Sequence, residues 1–193
     1  MTQAKDLFDI ISPLVAYNEK DWDVLAGEAG QISTWVPDLV DVFYNTLYGH
    51  DSTKTIFQDG ERPKLEKTLQ DWVASLVSGP KGADFWDHQW VIALLHVRRG
   101  VRNLYMLGMM NRIQQVFLAK CVETYDKDKA HEVFSAFLRI SGTVAALIAE
   151  CYGALLENST EEGLSKVGMN AALLQRIKDN QISKMIQESQ HND

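Results

Sequence analysis

"IALLHVRRG", residues 92–100, ends an apolar helical stretch on an imidazole, two guanidiniums and a glycine. Gly100 is a helix stop, and Arg98 and Arg99 complement the negative end of the helix dipole. His96 is the residue that needs a reason. On this stretch alone two readings stand level. The ring is either a partly buried histidine whose nitrogens find backbone partners, or a metal ligand aimed into a pocket.

The surroundings narrow the class of protein. The 193 residues are 46% hydrophobic and 23% charged, enough apolar material for one globular domain and a tail. A net charge of −7 and a pI near 5.2 argue against nucleic acid, where a basic stripe is expected. The N-terminus "MTQAKDLFDIISPL" lacks a basic region followed by a long apolar one, and no 18-residue apolar run is evident. The expectation is therefore a cytoplasmic protein with no membrane span. Cys121 and Cys151 fall 30 residues apart in helical patterns, which fits buried, reduced thiols.

Only four prolines occur and no period-2 pattern is bounded by turns, so the chain reads as all-α. Helices are expected over about 20–33, 34–49, 62–78, 83–99, 104–125 and 129–157, with Asn18 capping the first and Pro37 in the first turn of the second. "DSTKTIFQDG" is a connector. After the polar break "ENSTEEG", an extra amphipathic helix is expected over 169–187. Val133, Phe137, Ile140, Val144, Leu147 and Cys151 repeat at spacings of 4 and 3, with a second stripe of Phe134, Leu138, Ala145, Ile148 and Tyr152 beside them. Two apolar stripes on one helix predict a homodimer through helices 104–125 and 129–157.

Two hydroxyls join His96. Tyr44 in "DLVDVFYNTLY" shares an apolar face with Val40 and Leu47, and Thr68 lies one turn from Leu65 and from Trp72. Either hydroxyl could simply be satisfied by a backbone carbonyl. An imidazole on one wall and two hydroxyls on the other also fit a ligated haem, with donors ready for a diatomic ligand. His88, eight residues before His96, is rotated about 80° from it on an ideal helix and makes a poor second ligand.

With these residues in place, the chain resembles the globin-coupled sensor and protoglobin branch of the globins over about residues 18–157. The matching stretches are "DWDVLAGEAGQISTWVPDLVDVFYNTL", "KLEKTLQDWVASLVSG" and "FWDHQWVIALLHVRRGV" followed by "LYMLGM". The resemblance implies a globin fold of the globin-coupled-sensor type, with residues 1–17 as an N-terminal extension and 158–193 as linker and extra C-terminal helix. It implies haem b (iron protoporphyrin IX), with His96 as the proximal iron ligand and Tyr44, Thr68 and Leu65 on the distal side. Leu69, Ile92, Val101 and Tyr105 complete the implied lining. After Gly100 the chain departs from the family pattern, reading "VRNLYMLG" one residue short, with Tyr105 as the equivalent of the family's tyrosine. Arg98 and Arg99 are placed to face haem carboxylates or simply to cap the helix dipole. The implied function is a gas sensor for oxygen, carbon monoxide or nitric oxide, signalling through the dimer or a partner protein, rather than an enzyme. The alternatives are a haem enzyme (nitric oxide dioxygenase or peroxidase-like) and a simple oxygen-binding protoglobin.

Overall fold

A computed structural model describes residues 3–166, 175–177 and 179–183. It divides into two units, 1–152 and 153–193. Residues 3–166 form eight helices: α1 (Gln3–Leu14), α2 (Lys20–Gly27), α3 (Ala29–Gly49), α4 (Asp51–Lys54), α5 (Arg62–Leu76), α6 (Ala83–Arg99), α7 (Asn103–Thr124) and α8 (Lys127–Lys166).

The break expected at Thr34 falls instead at Glu28, and Pro37 lies inside α3. A proline there frees the carbonyl four residues back, normally a reason to end the helix. Pro37 and Ser33 both lie on the exposed face, so water can satisfy that carbonyl and the helix continues. The Asn18 side chain accepts the Lys20 N–H at 3.0 Å, as a cap at the start of α2 should. The connector contains one short helix, α4, where the Thr53 hydroxyl donates to the Leu47 carbonyl at 2.5 Å. The N-terminal stretch is itself helical. Phe8 of α1 packs on Trp86 of α6 with ring centroids 4.5 Å apart.

The expected dimer seam needs a correction. Val133, Phe137, Ile140, Val144, Leu147 and Cys151 are buried within one chain, none more than 1% exposed. Phe137 stacks on Phe117 of α7 at 3.9 Å, and Trp35 of α3 meets Phe117 edge-on at 5.3 Å. Arg139 donates twice to Asp21 of α2, at 2.6 and 2.8 Å. The stripe is apolar because it is buried within its own chain, with Phe137 against Phe117 of α7, and it needs no second copy to cover it. The same burial accounts for Lys127–Leu155, a stretch long and apolar enough to cross a membrane by length and composition, of which an apolar 18-residue window is 56% buried in the chain. The second stripe divides: Ala145 and Ile148 are buried and Leu138 is exposed. Apolar side chains do reach solvent on α7, at Leu104, Leu107, Leu118 and Val122.

Of the stretch 169–187, only 175–177 and 179–183 lie within the described residues. Both pieces are helical, and Ile177 and Ile182 are exposed.

Candidate functional site

The end of α6 explains the spacing of "HVRRG". Gly100 adopts φ +78°, a left-handed conformation that glycine takes without penalty. The chain then folds back so that the Val101 N–H donates to the His96 carbonyl and the Gly100 N–H to the Val97 carbonyl, both at 3.0 Å. This is the paired closure of a Schellman turn, and it ties the backbone of His96 to the stop signal. Tyr152 of α8 fixes the next link by donating to the Val101 carbonyl at 2.8 Å.

The His96 ring is half-buried, and its Nδ1 is enclosed without a hydrogen-bond partner. Burial, and then the charge of Arg99, lower its pKa and keep the imidazole neutral. The Nδ1 of this ring has no backbone partner in the structure. Among the described residues no cluster of three or more His, Cys, Asp or Glu could hold a bare metal ion. A lone neutral imidazole can serve a metal whose remaining ligands arrive with a cofactor, which is the donor set that haem requires.

Helices α5 and α6 run past each other in opposite directions. Trp72 Nε1 donates to Gln89 Oε1 at 3.2 Å near one end, and Arg99 pairs with Glu61 at the other. Between these ties the helices do not pack closely along their length. Leu65, Thr68 and Leu69 lie on α5 between the ties, and Ile92 and His96 lie between them on α6. Leu69 is buried, Leu65, Ile92 and Val101 are half-buried, and Thr68 is exposed. Leu65, Leu69 and Ile92 thus set apolar side chains on these two helices, and His96 adds one imidazole.

The hydroxyls rest on the backbone. Tyr44 is buried on α3 and donates to the Leu65 carbonyl at 2.7 Å, joining α3 to α5. Its pKa is raised, chiefly by burial, so it remains a donor. Thr68 donates to the Lys64 carbonyl one turn back, at 3.0 Å. Tyr105 is half-buried with the Arg102 guanidinium 5.5 Å above its ring, and bonding from Ser52, then Arg102, lowers its pKa. That places its hydroxyl beside α4. His88 is exposed, and so is Arg98; Arg99 is engaged by Glu61.

Residues outside the expected set shape the same corner. Tyr48, one turn after Tyr44, stacks on Phe57 at 4.7 Å and lies under the Arg62 guanidinium at 5.4 Å. Arg99 stands 5.8 Å over Phe57. The recurrence of tyrosine at four-residue spacing in "YNTLY" was the available signal for Tyr48.

The helical unit that carries this lone histidine belongs to a haem-binding globin family, as the comparisons with known proteins show. The protoglobin family profile matches residues 7–158, and the chain belongs to that family. Its fold is similar to the globin domain of a globin-coupled sensor from Geobacter sulfurreducens, with a TM-score of 0.69 at 24% identity, covering 75% of this chain and 96% of that domain. An uncharacterised protein of Methanocaldococcus jannaschii is 26% identical over 87 residues, which are 45% of this chain and 44% of that protein. The chain thus spans less than half the length of that curated relative.

Proposed function

We propose that the chain is a gas-sensing haem globin in which His96 is the iron ligand. The observation that carries this reading is the enclosed, partnerless Nδ1 of a neutral His96 on a helix facing α5. When bound, haem b supplies an iron that takes a diatomic gas such as oxygen, carbon monoxide or nitric oxide.

The rest of the work belongs to the chain. The Schellman closure at Gly100 sets the position of the His96 backbone, so the ring is oriented before any cofactor arrives. Leu65, Leu69 and Ile92 provide apolar surface that keeps water from the imidazole. Tyr44 and Thr68 supply distal hydroxyls, each resting on a carbonyl from which it must turn to meet a ligand. Such a turn exchanges one hydrogen bond for another, so its net effect is about 1 kcal/mol. Val101, held between His96 and Tyr152, links the ligand helix to α8.

A homodimer through the outer faces of α7 and α8 fits the exposed Leu107, Leu118, Val122 and Leu138, and offers the sensor a route to a second copy or a partner protein. The deciding experiment is the absorption spectrum of the purified chain, ferrous, with and without carbon monoxide, beside His96→Ala. Wild type should carry haem and shift its spectrum with gas, and the variant should lose most of its haem. Equal haem content and an unchanged ferrous spectrum in His96→Ala would refute the assignment.

A further inference from the structure

The corner where α3, α5 and the end of α6 meet holds a second phenol with nothing to bond. The Tyr48 hydroxyl is buried and has no hydrogen-bond partner. Buried polar groups are almost always paired, so an enclosed donor without an acceptor needs an explanation. The recorded bonds of the nearby acceptors go to other donors: Glu61 Oε1 takes Arg99 and the Gln58 N–H, Glu66 Oε1 takes Arg62, and the Leu65 carbonyl takes Tyr44.

The surroundings fix where this hydroxyl stands. Its ring stacks on Phe57, Phe57 lies beneath Arg99, and Arg99 follows His96 by one turn of α6. Tyr44 is one turn away on α3, with ring centroids 6.4 Å apart. Tyr48 is therefore on the side of the corner shared by the His96 helix and the Tyr44 helix. Its raised pKa, with burial as the largest cause, keeps the proton on the oxygen. The two phenols differ in one respect. Tyr44 must give up the Leu65 carbonyl to serve anything else, whereas Tyr48 gives up nothing.

We infer that Tyr48 is the principal hydroxyl donor of this site, reserved for a partly negative oxygen that arrives with the bound group. This rests on the haem reading above. The oxygen belongs either to the gas or to a haem carboxylate, and both offer the same chemistry to a phenol.

The test compares Tyr48→Phe and Tyr44→Phe in the full chain, first without haem and then reconstituted with it. Without haem, Tyr48→Phe should melt at or above the wild-type temperature, because it removes a hydroxyl that has no partner, while Tyr44→Phe should melt lower. With haem the order should reverse, and Tyr48→Phe should be the more damaging change. Oxygen dissociation about tenfold faster with haem retention unchanged assigns the acceptor to the gas. Haem transfer to an apoglobin acceptor about tenfold faster with oxygen dissociation unchanged assigns it to the carboxylate. Tyr48→Phe that matches wild type in both rates overturns the inference, as does a Tyr48→Phe that is less stable than wild type without haem. If wild type itself takes up no haem, the haem reading fails as well, and its own spectrum tells the two failures apart.

Discussion

A glutamate at position 144 should destabilise the fold severely, whereas one at position 107 or 122 should not. Val144 is 1% exposed, while Leu107 and Val122 are 43% and 65% exposed. Val144→Glu removes a buried side chain worth about 1.5–3 kcal/mol. It also sets a carboxylate among Ile140, Leu147 and Ile148 with no cation to meet it, at a cost of several kcal/mol more. A total near 5 kcal/mol corresponds to a melting temperature lower by roughly 10–20 °C for a chain of this size. It also takes a large part of the 5–15 kcal/mol, roughly, that holds a domain folded. Leu107→Glu and Val122→Glu should stay within about 1 kcal/mol of wild type. If two copies pair on that face of α7, these two variants should also sediment as monomers. Thermal unfolding by circular dichroism with sedimentation velocity reads both quantities. A Val144→Glu chain that melts like wild type and sediments as a folded monomer would show the stripe to be an intermolecular seam after all.

Three further outcomes are expected. Gly100→Ala meets no atom within 4 Å, so its penalty is the left-handed backbone alone, about 1 kcal/mol; melting should fall by about 2–4 °C and haem loss should quicken. Bonds from Lys129, then Tyr125, hold the Glu28 carboxyl below its usual range, so its stabilisation is present above the ordinary glutamate pKa and is lost as pH falls through the folded-state value. Glu28→Gln should cost less than about 1 kcal/mol at pH 7, because Lys129 is partly exposed, and the difference should shrink as pH falls below the ordinary glutamate range and vanish below the folded-state value. Burial pushes the Cys121 thiol up to about 12, so iodoacetamide at pH 8 should label it only on unfolding; rapid labelling of native protein would contradict the packing.

The helices whose ends carry strong chemical signals match their expected bounds. α6 runs from Ala83 to Arg99, because Gly82 and Gly100 punctuate both ends. The α2–α3 boundary was not readable, since a proline on an exposed face looks the same in sequence as one opening a helix. Spacings of 4 and 3 along α8 reveal a buried stripe but not which chain buries it; the same chain does, with Phe117 of α7 on Phe137. The helix end that carries His96 was readable because its stop signal is local in sequence. The Tyr44 hydroxyl meets a carbonyl 21 residues on, and the idle Tyr48 hydroxyl is defined by what is missing around it. No linear pattern reports either.

The Tyr152 hydrogen bond gives the site a mechanical short circuit. Its hydroxyl grips Val101, whose own N–H grips His96, so the path from the imidazole-bearing residue to α8 crosses two hydrogen bonds and no deformable packing. Tyr152 is also the last residue of its unit. A displacement of the helix end by a few tenths of an ångström would be diluted in a soft core, but here it pulls on one phenol at the last residue of the first unit. Tyr152→Phe cuts that tether while leaving the ring, the imidazole and the fold in place.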